Sequence, residues 1–413
     1  MDMKTFASLV IIWNMGIWQI QSQYYEASIQ PNKQDLYISA IYRIWIPEQI
    51  KKIRGIIIRQ HGCGINAKDN GLNHANDLQW QALAKKYNMA LLGTELIGKE
   101  ACSEWFNIEG GSGKALLKAL KKLAKMSNHS ELEEVPWALW GHSGGAYWCT
   151  DILFEYPGKV LCAIPRSGGL AFTKLWNPLV KQVPVLWMAG ENDLVDGFDY
   201  VREMTKKSFY SYRRYGAIWS IAIDLKADHG NRKGRSFAIR WMDAVLSMRL
   251  SNNGNNPIQL DSHDHWLGNL ETNEVKTALE VKNELSDWGW LPNEDIAKNW
   301  QEFVQTGWVS DSTPPPIPFQ LKIERSEGRC ILSWKSEIDI ESGIKQFNIY
   351  RDNELMGIVH GQEHNFHDAP EPVDIKFEFI HDLENKDGQI TIESENFQGI
   401  KGFRSQGVYD HHN

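Results

Sequence analysis

Three observations predict an α/β protein with a mostly parallel sheet flanked by helices, followed by a small all-β sandwich. Strand-like and helix-like patterns alternate from about residue 35 to about 250, the order that buries a parallel sheet between two helical layers. Thr313-Pro314-Pro315-Pro316-Ile317-Pro318 then interrupts the chain as a stiff, extended spacer. Beyond it the texture changes to short strands.

The elements follow in order. Asp35 to Pro47 reads as a strand, with Leu36, Ile38, Ile41, Ile44 and Ile46 among polar positions. Arg54 to Arg59 is a β-branched strand, His74 to Tyr87 a helix, and Met89 to Leu96 a strand. Gly113 to Lys125 is an amphipathic helix with Leu116, Leu117, Leu120 and Leu123 on one side. A short apolar run ends at Trp140, and helix-compatible sequence follows to about Tyr156. Strands at Val160–Pro165, Val183–Ala189 and Ile218–Leu225 alternate with helices at Asp199–Tyr215 and Arg235–Leu250. The sandwich strands are expected around Cys330–Trp334, Phe347–Arg351 and Lys376–Ile380.

The domains are therefore expected at 24–250 for the α/β body and 251–312 for a helical or irregular extension packed on it. A linker at 313–319 and a sandwich at 320–413 complete the chain. Residues 1–23 read as a secretory signal. Lys4 precedes an apolar stretch running to Ile20, polar Gln21-Ser22-Gln23 follows, and cleavage is expected near Ser22. The run is too short, and too interrupted by Asn14, for a membrane span, so the mature chain is expected to be secreted or periplasmic.

A net charge of −8 leaves nucleic-acid binding without an electrostatic footprint. Five cysteines are too few for a disulfide scaffold. Cys149 and Cys162 read as small buried hydrophobes. Cys63 and Cys102 each follow the end of a strand, the two strands are expected to be neighbours, and export would permit a bond between them.

Gly141-His142-Ser143-Gly144-Gly145 matches G-x-S-x-G at a strand-to-helix junction. A serine at the tip of such a turn is thrown into the open, and small neighbours let strand, helix and substrate approach. Serine needs a base to take its proton, and the base needs an orienting acid. In this arrangement the order should be Ser, acid, His. The strand ending at Gly190 is followed by Glu191-Asn192-Asp193, so Asp193 is the expected acid, with Asp196 and Glu191 as alternatives. The strand ending near Leu225 leads to His229, the expected base, and His263 and His265 fall outside the alternating unit. Two backbone N–H groups are expected to form an oxyanion hole. One belongs to Gly144 and the other to Cys63, in the Gln60-His61-Gly62-Cys63-Gly64 turn that His61 would organise.

Residues 35–250 thus resemble the α/β-hydrolase fold. The His61-Gly62-Cys63-Gly64 turn and the elbow are similar to secreted esterases of the polyhydroxybutyrate depolymerase and feruloyl or acetylxylan esterase type. The resemblance implies hydrolysis of a small-molecule or polymeric carboxylic ester through an acyl-enzyme, without a cofactor. No ligand spacing for a metal is present. About 314–405 resembles a fibronectin type III domain through its entry prolines, Leu332-Ser333-Trp334 and Gly343 to Asp352, which implies Trp334 and Tyr350 in its core and a spacer or attachment role. The competing readings are a peptidase or amidase using the same triad, and a non-catalytic binding protein on a hydrolase scaffold. Trp105, Trp148, Trp176 and the 251–312 extension are candidates to wall the acyl pocket, although most of the 18 tryptophans should be packing.

Overall fold

The structure is a computed structural model that describes residues 23–64, 71–170, 177–194, 200–230, 233–252, 256–260, 265–282, 285–326, 329–364, 368–370, 376–382 and 387–410. The secretory-signal reading, Asp196, Trp176 and His263 lie outside these residues.

Eight strands form the body's sheet: β1 (Gln23–Ser28), β2 (Tyr37–Ile46), β3 (Ile56–Gln60), β4 (Ala90–Gly98), β5 (Trp137–His142), β6 (Val160–Arg166), β7 (Val185–Gly190) and β8 (Trp219–Asp224). Their order is β1-β2-β4-β3-β5-β6-β7-β8. The β1–β2 and β2–β4 pairs are antiparallel, and every pair from β4 to β8 is parallel. The parallel strands β3, β5, β6 and β7 are buried along their whole length, as strands covered on both faces must be. Period-2 alternation sends Ile56 and Ile58 into one layer and Ile57 into the other.

Seven helices are described: α1 (Leu78–Lys86), α2 (Ser103–Phe106), α3 (Ser112–Ser127), α4 (Gly144–Glu155), α5 (Tyr200–Arg213), α6 (Arg235–Arg249) and α7 (Glu294–Thr306). Leu116, Leu120 and Leu123 of α3, Trp148 of α4 and Phe209 of α5 build one layer of core. Trp80 of α1, Trp241 of α6 and Trp300 of α7 build the other. This strand order, with helices on both faces, is the α/β-hydrolase fold, extended by separate antiparallel sheets toward the C-terminus.

Several local expectations are corrected. β1 was not foreseen, and it makes the sheet's antiparallel edge. In β2 the buried phase is Tyr37, Ala40, Tyr42 and Ile44, whereas Leu36 and Ile38 are exposed. A register shift against β4 between Tyr37 and Ser39 breaks the alternation there. Leu117 also faces solvent. The helix expected from His74 is two elements, because Asp77 ends a 3₁₀ turn (Leu72–Asn76) and caps α1 by accepting from the Gln79 and Trp80 amides, both at 3.2 Å. Trp148 is entirely buried in the core.

The extension is more ordered than its sequence texture implies. Strands β9 (Trp266–Asn269), β10 (Val275–Thr277) and β11 (Trp288–Leu291) form an antiparallel sheet in the order β10-β9-β11, followed by α7. Trp300 of α7 donates its indole N–H to the Ile221 carbonyl at 2.7 Å, fastening the extension to β8.

The C-terminal part holds β12 (Phe319–Ser326), β13 (Arg329–Lys335), β14 (Ile344–Arg351), β15 (Glu354–His360), β16 (Lys376–Asp382), β17 (Gly388–Asn396) and β18 (Val408–Asp410). They make two antiparallel sheets, β12-β13-β16 and β15-β14-β17-β18, enclosing Trp334, Phe347, Ile349 and Ile392. Leu78 of α1 belongs to the same core cluster. The sandwich is therefore seated on the body, and the proline segment does not hold the two apart.

Candidate active site

β5 delivers the elbow. Ser143 has φ 55° and ψ −118°, a left-handed backbone that costs an L-residue roughly 1–3 kcal/mol and persists only when its surroundings impose it. They do so here. The Ser143 amide donates to the Arg166 carbonyl of β6 at 2.9 Å, and the Ser143 carbonyl accepts from Ala146 at 2.9 Å. A Cβ on Gly145 would lie 2.5 Å from the carbonyls of Gln60 and His61, so only glycine lets α4 pass this close to the end of β3. The serine side chain is left half-buried at the tip.

Two loops beyond later strands bring acid and base together. Asp193, fully buried just past β7, accepts from His229 Nδ1 at 2.7 Å. The two loops are laced by backbone: Glu191 N donates to Asp224 O at 2.9 Å and Asn192 N to Ala227 O at 2.8 Å. The Glu191 carboxylate accepts from the Lys226 amide at 2.9 Å, so this alternative acid holds the loop pair rather than the histidine.

His142 is a site residue whose part in the geometry was not foreseen. Its Nε2–H donates to the His229 carbonyl at 2.8 Å, and the two rings lie 4.9 Å apart. The residue before the elbow serine thereby fixes the height of the base loop. His265, by contrast, sits beside Trp290 of the extension.

The turn after β3 packs against the elbow. A Cβ on Gly62 would fall 3.2 Å from the Ser143 Cβ. His61 Nε2 accepts from Leu96 N of β4 at 2.9 Å and its Nδ1 bonds the Gly62 carbonyl at 2.5 Å, so the ring ties this turn to the neighbouring strand. Cys63 is disulfide-bonded to Cys102, with α-carbons 5.7 Å apart. The bridge lies directly on Gly144, where any Cβ would collide with both sulfurs. The two backbone amides expected to bind an oxyanion thus belong to residues in contact. A cavity of about 390 Å³ lies beside this turn, between Gly62, Gly64, Cys102 and Trp105.

Behind the site lies a buried charge cluster. Arg59 of β3 is fully buried between Trp80 and Trp140, its guanidinium carbon 4.9 and 4.5 Å from the ring centres. It donates to Asp77 at 2.7 Å and to the Asp368 side chain at 3.1 Å. Burial alone would raise the Asp77 carboxyl, but Arg235, Arg59 and His364 outweigh it and hold it well below the usual range. Burial pushes Asp224 the other way, up to about 7, despite Arg166 and Lys233 nearby. Burial likewise raises the Cys149 and Cys162 thiols, as suits packed hydrophobes. Among the described residues no group of three His, Cys, Asp or Glu could hold a metal, and no helix is long and apolar enough to cross a membrane.

Fold and site together define an α/β-hydrolase-fold protein with an elbow serine and an adjoining Asp–His pair. No protein-family model and no curated protein matches the chain. Solved structures do. A ferulic acid esterase aligns at 12% identity over 51% of this chain and 92% of its own, with a TM-score of 0.38. A thermostable esterase aligns at 16% over 49% of this chain and 55% of its own, and a dienelactone hydrolase from Anabaena variabilis at 19% over 56% and 100%, both with a TM-score of 0.38. At this level of likeness the chemistry is argued from the residues alone.

Proposed function

We propose that the chain is a serine hydrolase that cleaves carboxylic esters through an acyl-enzyme. The observation that carries this reading is the 2.7 Å bond between buried Asp193 and His229 Nδ1, with the strained Ser143 elbow held against the same loop through His142. Asp193 keeps the proton on Nδ1 and leaves Nε2 as the base. His229 Nε2 takes the Ser143 hydroxyl proton as the oxygen attacks the ester carbonyl. The developing oxyanion is met by the amides of Gly144 and Cys63. His229 then returns its proton to the departing alcohol, and water repeats the sequence on the acyl-enzyme. Among the described residues Ser143 Oγ makes no direct hydrogen bond to His229, and such contacts tighten when substrate binds.

The Cys63–Cys102 bridge supports export to an oxidising compartment, since such bonds are rare where thiols are kept reduced. Sheets of three and four strands around Trp334, with Tyr350 buried, support the fibronectin type III-like reading of the sandwich.

The test is labelling by a fluorophosphonate probe with Ser143→Ala as control, followed by turnover of p-nitrophenyl acetate and of aminoacyl p-nitroanilides. Labelling confined to the wild type, with turnover of the acetate only, is expected. Equal labelling of both proteins removes Ser143 from the role, and faster anilide turnover makes the enzyme an amidase.

A further inference from the structure

A strained residue of the sandwich reaches into the body. Asp368 has φ 58°, a left-handed backbone that an L-residue adopts only when its surroundings impose it. The strain delivers a buried carboxylate to two arginines. Asp368 Oδ2 accepts from Arg59 Nη2 at 3.1 Å, and its backbone carbonyl accepts from the same nitrogen at 3.0 Å. Its Oδ1 forms an ion pair with Arg235 Nε at 3.1 Å. Asp77 faces the same two arginines, accepting from Arg59 Nη1 at 2.7 Å and pairing with Arg235 Nη2. Two cations and two anions thus alternate in a closed ring. Arg59, Asp77 and Asp368 are buried, so the ring is made in the dry.

The two arginines belong to the two halves of the site. Arg59 lies on β3, which runs directly into the Cys63 turn. Arg235 is the first residue of α6, the helix that follows the His229 loop. β3 is a central strand buried along its whole length, so Arg59 is the fixed post. Arg235 is the movable one. Its side chain is 12% exposed, against 0% for Arg59. It borders a cleft of about 720 Å³ between body and sandwich, which Asp228 and Gly230, on either side of His229, also line.

We propose that Asp368 is a positioning residue of the active site, supplied by the sandwich, and that it holds the His229 loop in place against the oxyanion turn by tying Arg235 to Arg59. The inference rests on the serine-hydrolase reading. Without the Asp368 carboxylate, two guanidinium ions share Asp77 alone, and a buried site does not tolerate the uncompensated charge. Arg235 relieves the excess by swinging into the cleft it borders, and the start of α6 follows with the loop before it. The His229 carbonyl stays tied to His142 at 2.8 Å, so the imidazole tilts and does not leave. A displacement of about 1 Å at a reacting group costs on the order of 10²-fold in rate. The sandwich is then part of the catalytic unit, and its grip acts on the chemical step and not on substrate binding.

The experiment uses the full chain. Asp368→Asn keeps the size and an acceptor but removes the charge, and Arg235→Lys keeps the charge but loses the planar fork that reaches several partners at once. With p-nitrophenyl acetate, each should lower kcat at least about tenfold, with KM within about twofold of the wild type. The downfield proton resonance of His229 Nδ1–H on the Asp193 carboxylate, assigned by its absence from His229→Gln, should weaken or shift in both. Gln398→Ala is the control. Gln398 accepts from Asp311 N at 2.9 Å and donates to Val309 O at 2.8 Å, so it fastens the sandwich to the extension and not to the arginines. It should lower the unfolding temperature and leave kcat and the resonance unchanged. If Asp368→Asn does not fold, Arg235→Lys carries the test. Unchanged kcat and resonance in the folded variants overturn the proposal, as does a loss of kcat in Gln398→Ala equal to theirs. A wild type without Ser143-dependent turnover overturns the hydrolase reading instead, and the resonance still decides whether Asp368 positions the Asp193–His229 pair.

Discussion

Removing the Cys63–Cys102 bridge should damage stability and chemistry separately. The two cysteines are 39 residues apart in sequence. A cross-link closing a loop of that length removes about 4 kcal/mol of chain entropy from the unfolded state. Cys63→Ala/Cys102→Ala should therefore lower the unfolding free energy by up to about that amount. The chemical effect has a different origin. Alanine at 63 keeps the backbone N–H, so no oxyanion donor is deleted. What is lost is the fastening of that turn to Gly144, on which both sulfurs rest. If the loosened turn carries the Cys63 amide out of line, kcat should fall toward the roughly 10²–10³-fold cost of losing one such donor. Guanidinium denaturation measures the first effect, and p-nitrophenyl acetate turnover well below the unfolding midpoint measures the second. A loss under about 1 kcal/mol would refute the chain-constraint estimate. Full kcat in a destabilised variant would refute the claim that the bridge positions the oxyanion turn.

Other changes have equally definite outcomes. Asp193→Asn should keep the loop geometry but lose control of the His229 tautomer, lowering kcat by roughly 10⁴ in the same ester assay. Asp368→Ala removes the carboxylate facing the buried Arg59 and Arg235, and breaking such a partnership costs about 3–5 kcal/mol. An unfolding free energy, measured in urea, lowered by less than about 1 kcal/mol would show that the sandwich is not held by this contact. Asp224 has its carboxyl raised by burial from 3.8 to about 7, so the native state keeps a proton that the unfolded chain releases. The stabilisation from this group is complete below about pH 4 and is lost as pH rises through 7. Asp224→Asn should therefore gain stability relative to the wild type between pH 5 and pH 8, and a difference independent of pH would contradict the buried-carboxylate assignment.

The elbow was legible because its evidence is local. Three glycines around one serine, at the joint of an apolar run and a helix, need no distant partner to be recognised. The positions of Asp193 and His229 were legible at one remove, since an alternating strand–helix order puts loops at the same edge of the sheet. That order left Glu191, Asp193 and Asp196 as alternatives, because neighbouring loop carboxylates have no periodicity to separate them. Geometry separates the first two. Glu191 caps the Lys226 amide while Asp193 meets the imidazole. The small sheet of the extension was missed because its strands of three and four residues are too short to show an alternation.

By itself the sequence determined the alternating strand–helix order of the body, the strand–turn–helix joint at Ser143 and the change of texture at the prolines. All are dictated by side-chain period and backbone preference over a few residues. Tertiary structure alone decided that His142 holds the loop of His229, 87 residues away, and that Asp368 closes on Arg59 across 309 residues. It also decided that the sandwich shares a cleft with the base loop. Ion pairs and single hydrogen bonds between distant segments leave no periodic trace in a chain. They exist only once burial has taken the surrounding water away.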